Sequence, residues 1–106
     1  MELNEYQKLA ARTRGAYDCE KGRAGAALAL CGEVGELANL IKKQEYHGHP
    51  VEWTKVRDEL GDVLWYVAEL ATLYQFNLSD LAEDNLDKLW DRYGGEFSSE
   101  HSIHRK

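Results

Sequence analysis

A single proline, Pro50, interrupts a chain of 106 residues, and on both sides of it apolar residues recur every three or four positions. Proline ends helices, and turn-rich β architectures use it repeatedly, so a chain with one proline is free to build long helices. Leu3, Tyr6, Leu9, Ala10, Thr13 and Tyr17 keep helical spacing and predict a first helix over Leu3 to Arg14. Gly15 to Gly25, rich in glycine and charge, reads as a connection. Leu30, Val34, Leu37 and Ile41 mark one face of a second helix from about Ala26 to Glu45, stopped by Gly48 and Pro50. Val56, Leu60, Val63, Val67, Leu70 and Tyr74 mark a third and longest helix, from about Val51 to Gln75. After the turn Phe76-Asn77-Leu78, Ser79 is the expected N-cap of a fourth helix, with Asp80 and Glu83 near the positive end of its dipole. It reaches Tyr93 and is closed by Gly94-Gly95. Short connections between helices two, three and four imply antiparallel neighbours. The expected fold is all-α: an antiparallel helical bundle of about four helices, two of them long and central, forming one domain over residues 1–106.

The net charge of −6 argues against general nucleic-acid binding, which needs a basic surface to neutralise phosphates. An acidic protein still binds a phosphorylated small molecule when a metal ion bridges the two. Cys19 and Cys31 are too few and too far apart for a disulfide framework or a cysteine zinc site, and read as free thiols in a reducing compartment. There is no run of eighteen apolar residues, and Met1-Glu2-Leu3-Asn4-Glu5 lacks a basic-then-apolar signal. No membrane contact is expected, and the cytoplasm is the default location.

Two segments stand out, Glu33-Val34-Gly35-Glu36 and Glu59-Leu60-Gly61-Asp62, one on each long helix. A separation of three puts both acids of a pair on one helix surface, where they repel unless a cation lies between them. At roughly 100° per residue, Glu59 falls between Val63 and Leu70 on one side and Tyr66 and Leu73 on the other. Glu33 falls between Leu30 and Leu37 on one side and Leu40 on the other. Each therefore projects from the edge of an apolar stripe, where an ionised carboxylate is costly unless paired or bound to metal. Glu36 and Asp62 lie about 60° further round, toward the mouth of a groove. The segments match at a constant offset of 26 residues, glycines included. Two antiparallel helices with like patterns would bring the acids together about a pseudo-twofold axis. A helix-interior glycine costs about 1 kcal/mol relative to alanine, so Gly35 and Gly61 suggest close approach by a backbone or a ligand. Four oxygen donors without histidine suit a hard cation, Mg²⁺ or Mn²⁺, over zinc.

Ala27-Leu-Ala-Leu-Cys-Gly-Glu33-Val-Gly-Glu36-Leu-Ala, then Asp58-Glu59-Leu-Gly-Asp62-Val-Leu-Trp-Tyr66, resembles the MazG-like all-α nucleoside triphosphate pyrophosphohydrolases, and the likeness runs on through Asn85-Leu-Asp-Lys88-Leu-Trp-Asp-Arg92-Tyr93. Either half of the motif alone is weak; the combination is specific. The resemblance implies that Glu33, Glu36, Glu59 and Asp62 bind Mg²⁺ and that hydrolysis falls between the α and β phosphates, giving a nucleoside monophosphate and pyrophosphate. It also implies that one glutamate serves as base, and a role in clearing surplus or non-standard nucleotides. Many members carry two adjacent glutamates where this chain has Gly32-Glu33, a form closer to the compact branch that includes dCTP pyrophosphatases; the base's identity stays open. The family forms dimers or tetramers with sites near subunit interfaces, so completion of the bundle as a homodimer or homotetramer is expected.

Asn85, Lys88 and Arg92 share a face of the fourth helix and form an expected phosphate and sugar surface, although basic residues also complement a helix C-terminus. Tyr66, one turn beyond Asp62, is a further substrate contact or a core aromatic with a wet hydroxyl. Lys42 and Lys43 read as C-terminal helix charges, and Trp53, Trp65 and Trp90 as core or interface residues. The rival readings are a non-catalytic helical module whose acidic groove binds cations or a basic protein, and a di-iron carboxylate bundle. The absence of Glu-x-x-His spacing disfavours the latter.

Overall fold

The computed structural model describes residues 1–14 and 22–93. Within them the chain is four helices: α1 (Leu3–Arg12), α2 (Gly22–Tyr46), α3 (Trp53–Leu73) and α4 (Leu78–Tyr93). The all-α expectation is met. The second helix starts four residues earlier than the periodicity suggests, so 22–25 of the expected connection are helical; the remainder, 15–21, lies outside the described residues, as do Gly94-Gly95 and the tail.

The principal packing is between α2 and α3, which form an antiparallel hairpin about the loop that holds Pro50. Gly48 ends α2 in the left-handed conformation, φ +71°. The same device ends α3 at Gln75, a non-glycine residue at φ +64°. Its amide donates to the Thr72 carbonyl at 3.0 Å, and the Phe76 amide to the Ala71 carbonyl at 2.7 Å. These are the two bonds of a Schellman motif, which satisfies the last carbonyls of the helix.

α1 lies across α3 and covers a core of Ala10, Trp65, Tyr66, Ala68, Ala71 and Leu78. The deeply buried face of α3 is thus the side under α1. The stripe that pairs with α2 is shallower, with Leu60 at 53% and Tyr74 at 49% exposure. Polar contacts fix α1 in register. The Trp65 indole N–H donates to Thr13 Oγ1 at 2.8 Å, and Arg14 grips Glu69, the one buried charged residue among those described.

The fourth helix departs from the expected arrangement. It packs chiefly against α1 and does not run alongside α3. The cause lies in its first turn, whose amides have no partner within the helix. The Leu78 amide donates to Gln7 Oε1 (2.8 Å) and the Ser79 amide to Asn4 Oδ1 (3.0 Å), both on α1. The local cap is Asn77, whose Oδ1 accepts from the Asp80 amide at 3.2 Å, two residues before the expected Ser79.

α2 is long and apolar enough by length and composition to cross a membrane, at mean hydropathy 1.3 over its best window; core helices of soluble proteins pass the same test, and Glu33 and Glu36 stand in its middle. Leu28 (72%), Val34 and Ile41 of α2 stay exposed in the single chain.

Candidate metal centre

The α2–α3 hairpin brings three of the four expected carboxylates together. One oxygen each from Glu33, Glu59 and Asp62 lie within 4.8 Å of one another, and all three residues are half-buried. The sequence requires this once the two helices pack. Glu33 and Glu59 sit at the margins of the stripes that the hairpin buries, and Asp62 lies one turn beyond Glu59.

Glu36 takes a different position. It is exposed and bears on the group through Glu59. The Glu59 charge and a carboxyl–carboxyl hydrogen bond with Glu59 hold Glu36 above the usual carboxylate range, with desolvation and Asp62 adding to the shift. Glu59 is raised first by its hydrogen bond to Glu33, then by desolvation and by the Glu33 charge. These are carboxylates that cannot all ionise in comfort.

The donor set fits a hard divalent cation. Mg²⁺ takes oxygen ligands at about 2.0–2.1 Å, which places neighbouring ligand oxygens about 3–4 Å apart, a spacing compatible with three oxygens that lie within 4.8 Å of one another. Oε2 of Glu33 and Oε2 of Glu59 are both buried and receive no hydrogen bond from any N–H or hydroxyl group of the described residues, so the only hydrogen bonds left to this pair are those between carboxyls. A buried carboxylate oxygen without such a donor is expensive, and two of them in one cluster of like charge are what a cation would satisfy. Among the described residues no histidine joins the cluster, and His47 and His49 are exposed beyond the end of α2, so these two lend no support to a di-iron reading.

The expected substrate contacts divide. Tyr66 is buried at 6% exposure, with its ring edge-on to Trp65 at 4.9 Å; the core role of this residue is real, one turn from Asp62. Asn85, Lys88 and Arg92 are exposed on α4, whose principal packing among the described helices is against α1. The expected close approach at Gly35 and Gly61 is not met among the described residues: a Cβ at either would find none of their atoms within 4 Å. Sequence reasoning passed over Glu69, seven residues beyond Asp62 and on the same flank of α3. Its signal was an acid among apolar residues, the same signal that picked out Glu59.

Comparison with known proteins agrees with the motif. Residues 23–97 match the profile of the MazG nucleotide pyrophosphohydrolase domain. The chain is 40% identical over 101 residues to the "Gene 37 protein" of Mycobacterium phage L5, a match covering 87% of this chain and 89% of that protein. No solved structure matches the chain.

Proposed function

The chain belongs to the MazG nucleotide pyrophosphohydrolase family, and we propose that it hydrolyses (deoxy)nucleoside triphosphates between the α and β phosphates, releasing a nucleoside monophosphate and pyrophosphate. The observation that supports this reading best is the cluster of Glu33, Glu59 and Asp62, with two buried carboxylate oxygens that receive no hydrogen bond from an N–H or hydroxyl group of the described residues. Mg²⁺, or Mn²⁺ in its place, is the cofactor we assign to those three residues, with Glu36 at the mouth. Such an ion supplies neutralisation of phosphate charge and a more acidic water.

The chain's own groups then have distinct work. Glu33, Glu59 and Asp62 are committed to holding charge. Glu36 is exposed, in contact with Glu59 and outside the tight group, and is the carboxylate best placed to accept the proton of the attacking water. The apolar walls of the hairpin, Leu30 and Leu37 beside Glu33 and Val63 beside Glu59, limit the water around the reacting phosphate. Asn85, Lys88 and Arg92 are proposed to bind phosphate and sugar, and Tyr66 to support the floor of the site. The exposed apolar residues Leu28, Val34, Ile41 and Leu60 favour a homodimer or homotetramer. Housekeeping of the cytoplasmic nucleotide pool is the role that fits.

The test is pyrophosphate release from a panel of ribo- and deoxynucleoside triphosphates, with and without Mg²⁺, for wild type and Glu59→Gln. Mg²⁺-dependent release by wild type and none by the variant is expected. Equal inertness of both overturns the enzyme reading; release of orthophosphate overturns the cleavage position while keeping the metal site.

A further inference from the structure

We infer that Thr13 is a positioning residue for the metal centre: through the Trp65 indole and the Tyr66 ring it holds Asp62 in the orientation that binds the cation. This rests on the Mg²⁺ reading above and adds that α1, which supplies no carboxylate to the cluster, completes its geometry.

Asp62 and the face beneath α1 are one surface of α3. At about 100° per residue, Trp65, Tyr66 and Glu69 all fall within about 60° of Asp62, whereas Glu59 is turned about 60° toward the side that packs on α2. Of the three clustered acids, Asp62 is thus the one whose surroundings α1 controls. Tyr66 lies one turn beyond it, a spacing that sets the two Cβ atoms about 5–6 Å apart, so the ring flanks the Asp62 side chain. That ring is buried and meets Trp65 edge-on, with centroids 4.9 Å apart and planes at 82°.

The Trp65 ring is fixed by hydrogen bonding as well as by packing. Its N–H donates to Thr13 Oγ1 at 2.8 Å, and the Thr13 hydroxyl donates to the Ala10 carbonyl at 2.7 Å. Accepting one bond and donating another determines the hydroxyl's own orientation. Thr13 is pinned on both sides: its amide donates to the Ala10 carbonyl at 2.9 Å, and the next residue, Arg14, is clamped on Glu69, one turn beyond Trp65. Yet Thr13 is exposed, so water can replace it as acceptor, and the indole N–H is not stranded by its loss. What water does not supply is a fixed place for the ring, and a bound ion tolerates only about 0.5 Å of play in its ligands. The Thr13 hydroxyl therefore contributes little to folding and much to the placement of Asp62.

The experiment measures Mg²⁺ affinity by calorimetric titration of the full chain for wild type, Thr13→Val and Thr13→Ser, with a melting curve of each. Valine keeps the shape and removes the hydroxyl; serine restores it. Thr13→Val is expected to bind Mg²⁺ about 3- to 10-fold more weakly, less than the loss typical of a group bonded directly to a ligand. Thr13→Ser should recover most of that loss, and the metal-free melting temperatures should stay close together. In a Tyr66→Leu background, Thr13→Val should weaken binding no further, because the path through the ring is already cut. The Trp65 indole N–H resonance, assigned by its absence in Trp65→Phe, should shift in wild type in step with Mg²⁺ occupancy. Equal Mg²⁺ affinity of wild type and Thr13→Val overturns the inference, as does a Thr13→Ser variant no better than Thr13→Val. A full Thr13→Val effect that persists beside Tyr66→Leu overturns the route through the ring. If Thr13→Val fails to fold, the wild-type indole resonance decides: a resonance that ignores Mg²⁺ is contrary to the inference. A wild type that binds no Mg²⁺ overturns the metal reading itself, and this inference with it.

Discussion

Arg14, just beyond α1, closes on Glu69 of α3 with Nε 2.7 Å from Oε2 and Nη2 3.1 Å from Oε1. The carboxylate is 2% exposed and the guanidinium side chain 46%. The pair is therefore asymmetric: the arginine keeps much of its hydration, and the glutamate depends on it. Removing one partner of a fully buried pair costs about 3–5 kcal/mol, and exposure reduces that figure. Arg14→Ala is expected to lower unfolding stability by about 2 kcal/mol, because it strands Glu69. Arg14→Met with Glu69→Leu should recover much of that loss by replacing charge with packing. Urea denaturation of the two variants and wild type measures both. A double variant less stable than Arg14→Ala would show that the pair contributes more than the relief of a stranded charge.

Glu36 is raised above the ordinary carboxylate range chiefly by Glu59, and Glu59 chiefly by Glu33 and by desolvation. A raised acid binds its proton more tightly in the folded than in the unfolded chain. The stability it contributes is fully present below the ordinary pKa and is lost as pH rises through the raised one. The metal-free protein is therefore expected to lose stability from mildly acidic toward neutral pH on account of these two groups. Mg²⁺ reverses the sign, since it needs the ionised carboxylates. The rise in melting temperature on adding Mg²⁺ should be largest at neutral pH and shrink as pH falls through the raised range. Scanning calorimetry at several pH values, with and without Mg²⁺, reads the crossing; a metal effect that grows on acidification would contradict it.

Gln75 ends α3 at φ +64°, a conformation that costs a non-glycine residue roughly 1–2 kcal/mol. Glycine adopts it without that cost but loses more chain entropy on folding. Gln75→Gly is expected to stabilise by about 0.5–1 kcal/mol, since the Schellman bonds from the Gln75 and Phe76 amides are kept. The same substitution at a helical position such as Gln44 should destabilise by about 1 kcal/mol. Guanidinium titrations of the two variants give opposite signs if the conformation is the cause.

What the sequence made legible was whatever depends on local periodicity. Four helices, the α2 stop at Gly48 and the acids at the stripe edges all follow from spacing of 3.6 residues per turn and the cost of burying charge. The arrangement of α4 did not follow. Its direction is set by the amides of Gln7 and Asn4, which reach the α4 start across more than seventy positions of sequence. No local pattern distinguishes such a glutamine from any surface glutamine. The choice of Asn77 over Ser79 as cap shifted for the same reason, because α1 takes the Leu78 and Ser79 amides. Within the site, periodicity put Glu36 and Asp62 on equivalent flanks. The packed hairpin breaks that equivalence: Asp62 joins Glu33 and Glu59, and Glu36 stays at the solvent edge.

Glu59 carries the sharpest conflict between stability and function. It is the residue on which Glu33, Glu36 and Asp62 all act, and its Oε2 is buried with no N–H or hydroxyl donor among the described residues. Glu59→Gln removes a like charge from the cluster and supplies an amide that donates to the neighbouring carboxylates. In the absence of metal the variant is expected to be more stable than wild type by about 0.5–2 kcal/mol, the range typical of relieving a strained functional site. Its Mg²⁺-induced stabilisation should fall in the same measurement, because one of three oxygen donors has lost its charge. Pyrophosphate release should drop by at least about 100-fold. Melting temperatures with and without Mg²⁺ test the first two effects independently of turnover. If the variant is less stable than wild type without metal and equally stabilised by it, Glu59 is a packing residue and the cluster is not a metal site.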